Sequence, residues 1–187
     1  MRTVVLAMMV SLDGYIEGPN KQFIPPAWSG DMQRYWSDDN VEAAGMLMYG
    51  RVCYEGMAAF WGPAAADPTS PMQAFAQRLT AMPKVVFSRT MREPTWANTT
   101  VAAGDVADEV ARLKAQPGKE LVLFGGAEMA GTFVRQSLVD EYRLLLVPTL
   151  YGGGTRLFQD GNDRTGLTLV EAKPLDTGSV RLTYRPA

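Results

Sequence analysis

Apolar residues along this chain alternate between short continuous runs and stretches in which they recur every three or four positions. A continuous run ended by glycine or proline is typical of a strand buried on both faces, and the recurring pattern is typical of a helix with one buried side. The runs that predict strands are 3–11, 46–49, 84–87, 99–102, 121–124 and 142–147. Helical patterns separate most of them, which predicts a mostly parallel sheet.

The last two apolar runs are separated only by a turn. Residues 167–172 and 180–184 flank a segment that contains Pro174 and Gly178, which is typical of an antiparallel hairpin. The predicted fold class is therefore α/β, with three layers, a mostly parallel sheet flanked by helices and a C-terminal antiparallel hairpin. Because no linker interrupts the 187 residues, we expect 1–187 to form a single domain.

Residues that commonly cap helices mark where the predicted helices begin. One helix is expected after Ser29 or Gly30, and two more are expected after Ser70 and Asp105. The stretch 60–71, which is rich in proline and alanine, is expected to be a connection.

Two of the predicted strands end in glycine directly before a helix. The run at 121–124 stops at Gly125 and Gly126, so the free N–H groups of the next helix would lie at the carboxyl end of a buried strand, where a phosphate can bind. The run at 46–49 ends at Gly50, and Arg51 adds a cation to the positive end of the following helix. Taken alone, the first turn is equally well explained as an ordinary strand-to-helix connection.

A third strand end adds another candidate for phosphate binding. Arg89 follows the strand at 84–87 and stands between the hydroxyls of Ser88 and Thr90, which suits a phosphate monoester, although a solvated loop arginine is the commoner case. The chain contains neither G-x-G-x-x-G nor the Gly-Lys-Ser/Thr of a P-loop. A nucleotide site must therefore rest on several segments together.

Composition restricts the partners. The 18 basic and 20 acidic residues nearly balance, which disfavours binding to nucleic acid or to an acidic membrane surface. Cys53 is the only cysteine, so no internal disulfide and no thiolate metal cluster can form, as expected in a reducing cytoplasm. The apolar run 4–10 is too short to span a bilayer and no signal-like segment precedes it. We expect no metal site, because histidine, the usual ligand, is absent.

Without histidine, a proton must come from a carboxyl group, a tyrosine or water. Asp31 is the first candidate, because it begins a helix directly after the loop that carries Trp28, and Met32 and Tyr35 could line an apolar cavity that raises its pKa. An acid in a first helical turn can also simply favour the helix dipole. Asp13 is the second candidate, although an Asp-Gly turn more often has its carboxylate bonded to nearby backbone N–H groups.

Five segments in this order resemble the dihydrofolate reductase family, in particular the group similar to the C-terminal reductase domain of the bifunctional riboflavin-biosynthesis enzyme RibD. The likeness covers nearly the whole chain and implies that fold. The segments are Ser11-Leu12-Asp13-Gly14-Tyr15-Ile16, Gly50-Arg51 with Tyr54-Glu55, Val86-Phe87-Ser88-Arg89-Thr90, Gly125-Gly126, and Pro148 leading to Gly152-Gly153-Gly154-Thr155-Arg156-Leu157-Phe158.

The resemblance implies a reductase that transfers a hydride from NADPH to a small heterocyclic substrate. It implies that the nicotinamide lies beside Ala7, under a mobile loop that carries Tyr15 and Ile16. The 2′-phosphate of the cofactor would be held by Ser88 and Arg89. The residues implied to hold the pyrophosphate are Gly50, Arg51, Val52, Cys53, Gly125, Gly126, Ala127, Glu128 and Met129.

The same resemblance leaves two substrate classes open. Trp28 and Asp31 resemble the tryptophan and the helix acid that face the pterin in dihydrofolate reductases, with Met32 and Tyr35 as an apolar wall. The alternative is the pyrimidine of riboflavin biosynthesis, the substrate of 5-amino-6-(5-phosphoribosylamino)uracil reductase.

This chain departs from the riboflavin-pathway pattern in two places. Those enzymes resemble one another in an acidic residue just before the glycine turn, where this chain has Phe124. They also share Asp-Asp/Asn-Pro after the second turn, where this chain has Glu55-Gly56-Met57.

The resemblance implies a cis peptide between Gly125 and Gly126. It also favours a homodimer, since the closing hairpin leaves a strand near the sheet edge. The alternative to an enzyme is a nucleotide-binding module of the same fold that lacks a substrate acid and does not turn over.

Overall fold

The apolar runs become the strands of a layered α/β fold in the computed structural model, which describes residues 1–23, 29–159 and 164–187, without the side chains of 37–39. The strands are β1 (Val4–Ser11), β2 (Tyr15–Glu17), β3 (Ala44–Gly50), β4 (Lys84–Phe87), β5 (Thr99–Ala102), β6 (Glu120–Leu123), β7 (Glu141–Val147), β8 (Thr155–Arg156), β9 (Leu167–Pro174) and β10 (Val180–Pro186). The α-helices are α1 (Gly30–Arg34), α2 (Arg51–Ala66), α3 (Gln73–Ala81), α4 (Val106–Ala115) and α5 (Ala127–Arg135), with a 3-10 turn at Pro19–Lys21 and a π-helix at Tyr35–Glu42.

The main sheet confirms the predicted fold class. Its strand order is β5-β4-β3-β6-β1-β7-β10-β9, and neighbouring strands are parallel from β5 to β7. β10 runs antiparallel to β7, and β9 pairs with β10 as the predicted hairpin. The central position of β1 follows from its continuous apolar run, which leaves Val4 to Ala7 without solvent exposure.

Two helical layers cover the sheet. Alternate residues of a strand point to opposite faces, so Val4 and Leu6 pack in one core cluster and Val5 and Ala7 in the other. The first cluster includes α4 and α5, and the second includes α2 and α3. None of the helices in the described ranges is long and apolar enough to span a bilayer.

Two predicted boundaries are wrong. α2 continues to Ala66, through the first half of the predicted connection, because Trp61 packs its ring 5.2 Å from that of Phe75 in α3 and holds the two helices together. α3 begins at Gln73 rather than directly after Ser70, whose hydroxyl instead accepts a hydrogen bond from the N–H of Met72.

A second, two-stranded sheet of β2 and β8 was not predicted. It joins the segment after β1 to the glycine triplet after β7. Gly154 has φ +117°, and a side chain there would collide with the carbonyl oxygen of Glu17, so only glycine fits. Leu157 is buried below this sheet and donates its N–H to Gly14 O at 3.1 Å.

Lys84 is a buried cation at the start of β4, with 1% of its surface exposed. Its ammonium group donates to the carbonyl oxygens of Thr80, Met82 and Ala97 at 2.9, 2.7 and 3.0 Å and lies 4.5 Å from the centre of the Trp96 ring. These contacts tie the end of α3 to the loop before β5. Burial lowers the pKa of Lys84 to about 8.

Candidate functional site

The segments singled out by the sequence lie along one edge of the main sheet. β4, β3, β6 and β1 are consecutive neighbours and parallel, so their carboxyl ends share that edge. The chain leaves these strands at Ser88, Arg51, Phe124 and Leu12, respectively. The fold therefore brings the three candidate phosphate-binding segments next to one another in the order β4, β3, β6.

The N-termini of α2 and α5 open onto this edge side by side. Their N-cap residues, Gly50 and Gly126, have no side chain to bond the first N–H groups. Met129 packs between them: a Cβ placed on Gly50 would lie 3.1 Å from the Met129 Cβ, and one on Gly125 would lie 3.2 Å from it. A Cβ on Gly126 would meet nothing within 4 Å, so open space lies in front of α5. Two adjacent, uncapped helix ends suit an anion with more than one phosphate.

Cys53 locks the first turn of α2 to the end of β6. Its Sγ donates to the carbonyl oxygen of Phe124 at 2.8 Å. Burial, and to a smaller extent the charge of Glu17, raise the pKa of the Cys53 thiol to about 12. The thiol is therefore a packing group rather than a nucleophile.

Arg51 stands at the opening of α2 but already has a charged partner. Its guanidinium lies 3.0 Å from the carboxylate of Glu55, one turn along the helix, and about half of each side chain is exposed. An exposed pair of this kind is weak, so a phosphate can compete with Glu55 for Arg51. Val52 and Glu128 are also exposed at this edge.

Ser88 and Arg89 have different environments. The Ser88 hydroxyl accepts hydrogen bonds from the N–H groups of Thr90 and Met91 at 3.2 and 3.0 Å, so it closes the turn after β4. Arg89 is exposed, and no ion-pair partner for it occurs among the residues that the structure describes. Its guanidinium is available for an anion.

The peptide between Gly125 and Gly126 is trans, as are the other peptide bonds of the described residues, so the expected cis bond is wrong. Gly126 has φ −67° and ψ 172°, an extended conformation that leads directly into α5. The turn therefore needs no unusual peptide geometry to present the helix end.

α1 packs beside this edge, over the carboxyl halves of β1 and β7. Met32 and Tyr35 are fully buried in one cluster with Met9, Leu145 and Val147. The expectation that they line an open apolar cavity is not met in this structure, since both belong to the packed core. They support the helix that carries Asp31. Trp28 lies outside the described residues.

Asp31 lies in the first turn of α1, with about a fifth of its side chain exposed. Its Oδ2 accepts the backbone N–H of Asp176 at 3.1 Å, and its Oδ1 pairs with Arg34. The hydrogen bond from Asp176 and then that from Arg34 hold the pKa of Asp31 below its usual value. The expected raised pKa is therefore wrong, and the group is an anion at neutral pH.

Asp13 clamps two loops together at the end of β1. Its carboxylate accepts the Ser11 hydroxyl at 2.6 Å and the N–H groups of Tyr151 and Gly152 at 3.1 and 2.8 Å. The hydrogen bond from Ser11 is the main reason that the pKa of Asp13 falls to about 2. These contacts match the turn-forming alternative considered for Asp13.

The segment implied to cover the nicotinamide is paired rather than free. Tyr15 and Ile16 belong to β2, with the Arg156 guanidinium 4.8 Å from the centre of the Tyr15 ring and Ile16 packed against the core. Ala7 is fully buried in the centre of β1.

An aromatic group beside the edge was not singled out by sequence reasoning. Phe124 lies 5.5 Å from Trp36 and 6.2 Å from Tyr49, ring centre to ring centre. This packing explains why an apolar residue, Phe124, stands directly before the glycine turn. Tyr49 and Phe124 each end an apolar run of the sequence, and Trp36 belongs to a predicted helix. Only the order of the strands in the sheet brings the three residues together.

Two open cavities are lined by other residues: the first lies at the β5 end of this edge, beside Ser88, and the second lies away from the edge. One, of about 500 Å³, is formed by the end of β5 and the start of α4. The other, of about 470 Å³, is lined by charged residues of β7, β10 and the neighbouring β9. Neither contains a residue proposed for the candidate site.

Comparison with known proteins agrees with this architecture. The sequence model of the RibD C-terminal domain matches residues 2–180. The uncharacterised Bacillus subtilis protein YyaP is 33% identical over 187 residues, covering 98% of this chain and 94% of YyaP. A second uncharacterised B. subtilis protein, YwjB, is 33% identical over 74 residues, which is 40% of this chain and 42% of YwjB.

Solved structures share the fold at low sequence identity. A candidate riboflavin biosynthesis protein from Shewanella sp. PV-4 has a TM-score of 0.79 and 22% identity, covering 100% of this chain and 99% of its own. Dihydrofolate reductase from Enterococcus faecalis, solved with NADP(H), has a TM-score of 0.67 and 13% identity, covering 98% and 96%. RibD from Acinetobacter baumannii matches this chain over 58% of its own length, with a TM-score of 0.66 and 20% identity.

Proposed function

The chain belongs to the RibD C-terminal domain family, and from that premise we propose that it is an NADPH-dependent reductase of a small heterocyclic substrate. The observation that carries the proposal is the pair of adjacent, uncapped helix N-termini at Gly50 and Gly126, beside the exposed cation of Arg89. This order of groups along the edge matches the phosphates of a dinucleotide phosphate.

The residues present fit the cofactor. The N–H groups at the starts of α2 and α5 would hold the pyrophosphate, with Arg51 released from Glu55 to assist. Arg89 would pair with the 2′-phosphate. Bound NADPH would supply a hydride to a carbon of the substrate. In the sheet, β6 lies between β3 and β1, and α1 packs over the carboxyl half of β1. The nicotinamide ring would therefore lie beside Asp31, in the first turn of α1.

The substrate would bind at Asp31. An ionised carboxylate accepts hydrogen bonds, and it favours a heterocycle that presents adjacent N–H donors, as pterins and aminopyrimidines do. By stabilising a protonated ring nitrogen, Asp31 would help the substrate accept the proton that accompanies the hydride. Phe124 stands where the riboflavin-pathway enzymes carry an acidic residue, so this chain offers no carboxylate at that position to a substrate group.

A single assay separates this proposal from a binding module without turnover. NADPH oxidation would be followed with dihydrofolate and, separately, with the pyrimidine intermediate of riboflavin synthesis. Oxidation that depends on either substrate supports a reductase. Tight NADPH binding without turnover across a wider heterocycle panel would support the nucleotide-binding module instead.

The single cysteine is consistent with a cytoplasmic location.

Replacing Arg89 by alanine should weaken NADPH binding by about 10- to 100-fold and leave NADH binding nearly unchanged, because only NADPH carries the phosphate that the guanidinium would meet. The dissociation constants can be measured by protein fluorescence. Arg92→Ala is the matched control, since Arg92 is an exposed arginine three residues away. An equal loss of affinity for both cofactors would remove Arg89 from this role.

We also propose a homodimer formed through β9. This outer strand of the sheet exposes Leu167, Leu169 and Val170 by 40, 52 and 51%. A strand edge with unpaired backbone groups and apolar side chains suits pairing with a second copy.

Leu169→Lys should convert that dimer to a monomer, because a charge would be buried at the interface. Light scattering at micromolar concentration measures the mass. Phe60→Lys, which changes another apolar residue that is 63% exposed, should leave the mass unchanged. A monomeric mass for the unmodified protein would contradict the proposal.

A further inference from the structure

The turn between β9 and β10 packs against the start of α1, although about 145 residues separate them in the sequence. The Ser29 hydroxyl donates to the carboxylate of Asp176 at 2.5 Å and accepts the N–H of Met32 at 3.2 Å. One serine therefore both caps α1 and holds the turn.

The turn itself is fixed. Gly178 donates its N–H to Leu175 O at 3.0 Å, and Leu175 donates to Ser179 O at 2.8 Å. Gly178 has φ +78°, which favours glycine. The side chain of Leu175 is 8% exposed and lies in the same cluster as Met32. The backbone N–H of Asp176 is thus held at one place relative to α1.

That N–H is directed at Asp31. It bonds Oδ2 of the carboxylate at 3.1 Å, whereas Oδ1 is bonded by Arg34. The two partners differ in freedom, because the first is backbone in a closed turn and the second is a side chain that is 64% exposed. A ligand can displace Arg34 far more easily than it can displace the turn.

We propose that Asp176 is a positioning residue, whose backbone N–H orients the carboxylate of Asp31 so that Oδ1 faces the substrate once Arg34 moves away. This inference rests on the proposed function, in which Asp31 binds the heterocycle. It adds that the C-terminal hairpin, a sequence-distant element, completes the substrate side of the site.

The charged groups around Asp31 come from three elements. Arg34 lies on the same helix, Lys173 lies on β9, and the carboxylate of Asp176 lies in the turn. Arg34, Lys173 and the N–H of Asp176 all favour the ionised form of Asp31. The N–H makes the largest contribution to its lowered pKa.

Two substitutions at one position test the proposal. Asp176 is the second residue of the turn closed by Leu175 and Gly178, and its φ is not positive. Proline is favoured at that place, so Asp176→Pro should keep the turn while removing the N–H. Asp176→Ala is the matched control, because it removes the carboxylate and keeps the N–H. Thermal unfolding of both variants checks that each one folds.

The first readout does not depend on activity. Carbon-13 NMR of the Asp31 carboxyl should show its pKa raised in Asp176→Pro and nearly unchanged in Asp176→Ala. With an active substrate, Asp176→Pro should raise KM about tenfold. An Asp31 titration that is the same in Asp176→Pro and the unmodified protein would overturn the proposal. Absence of turnover in the unmodified protein would overturn the proposed function alone, since the titration would still report the contact.

Discussion

Asp31→Asn is expected to lower turnover by about 100-fold while leaving NADPH affinity unchanged. Asparagine keeps the shape of the side chain but cannot stabilise a protonated substrate nitrogen as an anion does. Arg34 and the N–H of Asp176 keep Asp31 ionised in the free protein, so this loss reflects charge rather than a change of protonation.

The loss of turnover caused by Asp31→Asn should grow as the pH rises. The variant must take its proton from bulk acid, whereas the carboxylate of the unmodified protein keeps the substrate protonated to higher pH. Single-turnover rates from pH 5 to 9 measure this difference. Full activity of Asp31→Asn at neutral pH, together with an inactive Asp13→Asn, would transfer the role to Asp13. The structure favours Asp31, because the Asp13 carboxylate is engaged by Ser11 and two backbone N–H groups.

Lys84→Met is expected to lower the free energy of unfolding by about 2–3 kcal/mol at pH 7. Methionine fills a similar volume but leaves the carbonyl oxygens of Thr80, Met82 and Ala97 without their common donor. Urea unfolding followed by tryptophan fluorescence measures the change. Lys119→Met is the control, since Lys119 is exposed and bonds a single carbonyl oxygen; it should change the stability by less than about 0.5 kcal/mol.

The stability difference between the unmodified protein and Lys84→Met should increase with pH between about 8 and 10.5. Burial lowers the pKa of Lys84 from 10.5 in the unfolded chain to about 8 in the folded protein. Within this window the unfolded chain binds more protons than the folded protein, so raising the pH stabilises the folded state. Lowering the pH to about 8 removes this contribution of Lys84. The increase is at most about 3 kcal/mol. A difference that is constant over this range would show that the pKa of Lys84 is not lowered.

Much of the cofactor side of the site was predictable from local sequence. Gly50 and Gly126 each follow an apolar run and precede a helical pattern, and both are helix N-caps in the structure. Parallel strands then place their ends at one edge without further information. The end of α2, which was mispredicted within 60–71, could not be predicted from local sequence. The contact between Trp61 and Phe75 that extends α2 joins two different helices and outweighs local propensity.

The substrate side was predictable only in part. Asp31 was identified from its place after a loop and at a helix start, but its expected raised pKa was wrong. The partners that lower this pKa are Arg34, one helical turn away, and the N–H of Asp176, which belongs to a hairpin near the other end of the chain. No spacing in the sequence indicates the second contact.

The sequence by itself determined the element types, the α/β class, the closing hairpin and the absence of histidine chemistry, because apolar periodicity, turn residues and composition are local properties. Only the tertiary structure decided which strands are neighbours, that Phe124 packs between Trp36 and Tyr49, that Asp13 is a clamp and that Asp31 is an anion. These features depend on contacts between residues far apart in the chain, and a side chain's charge and exposure follow from the neighbours that folding brings to it.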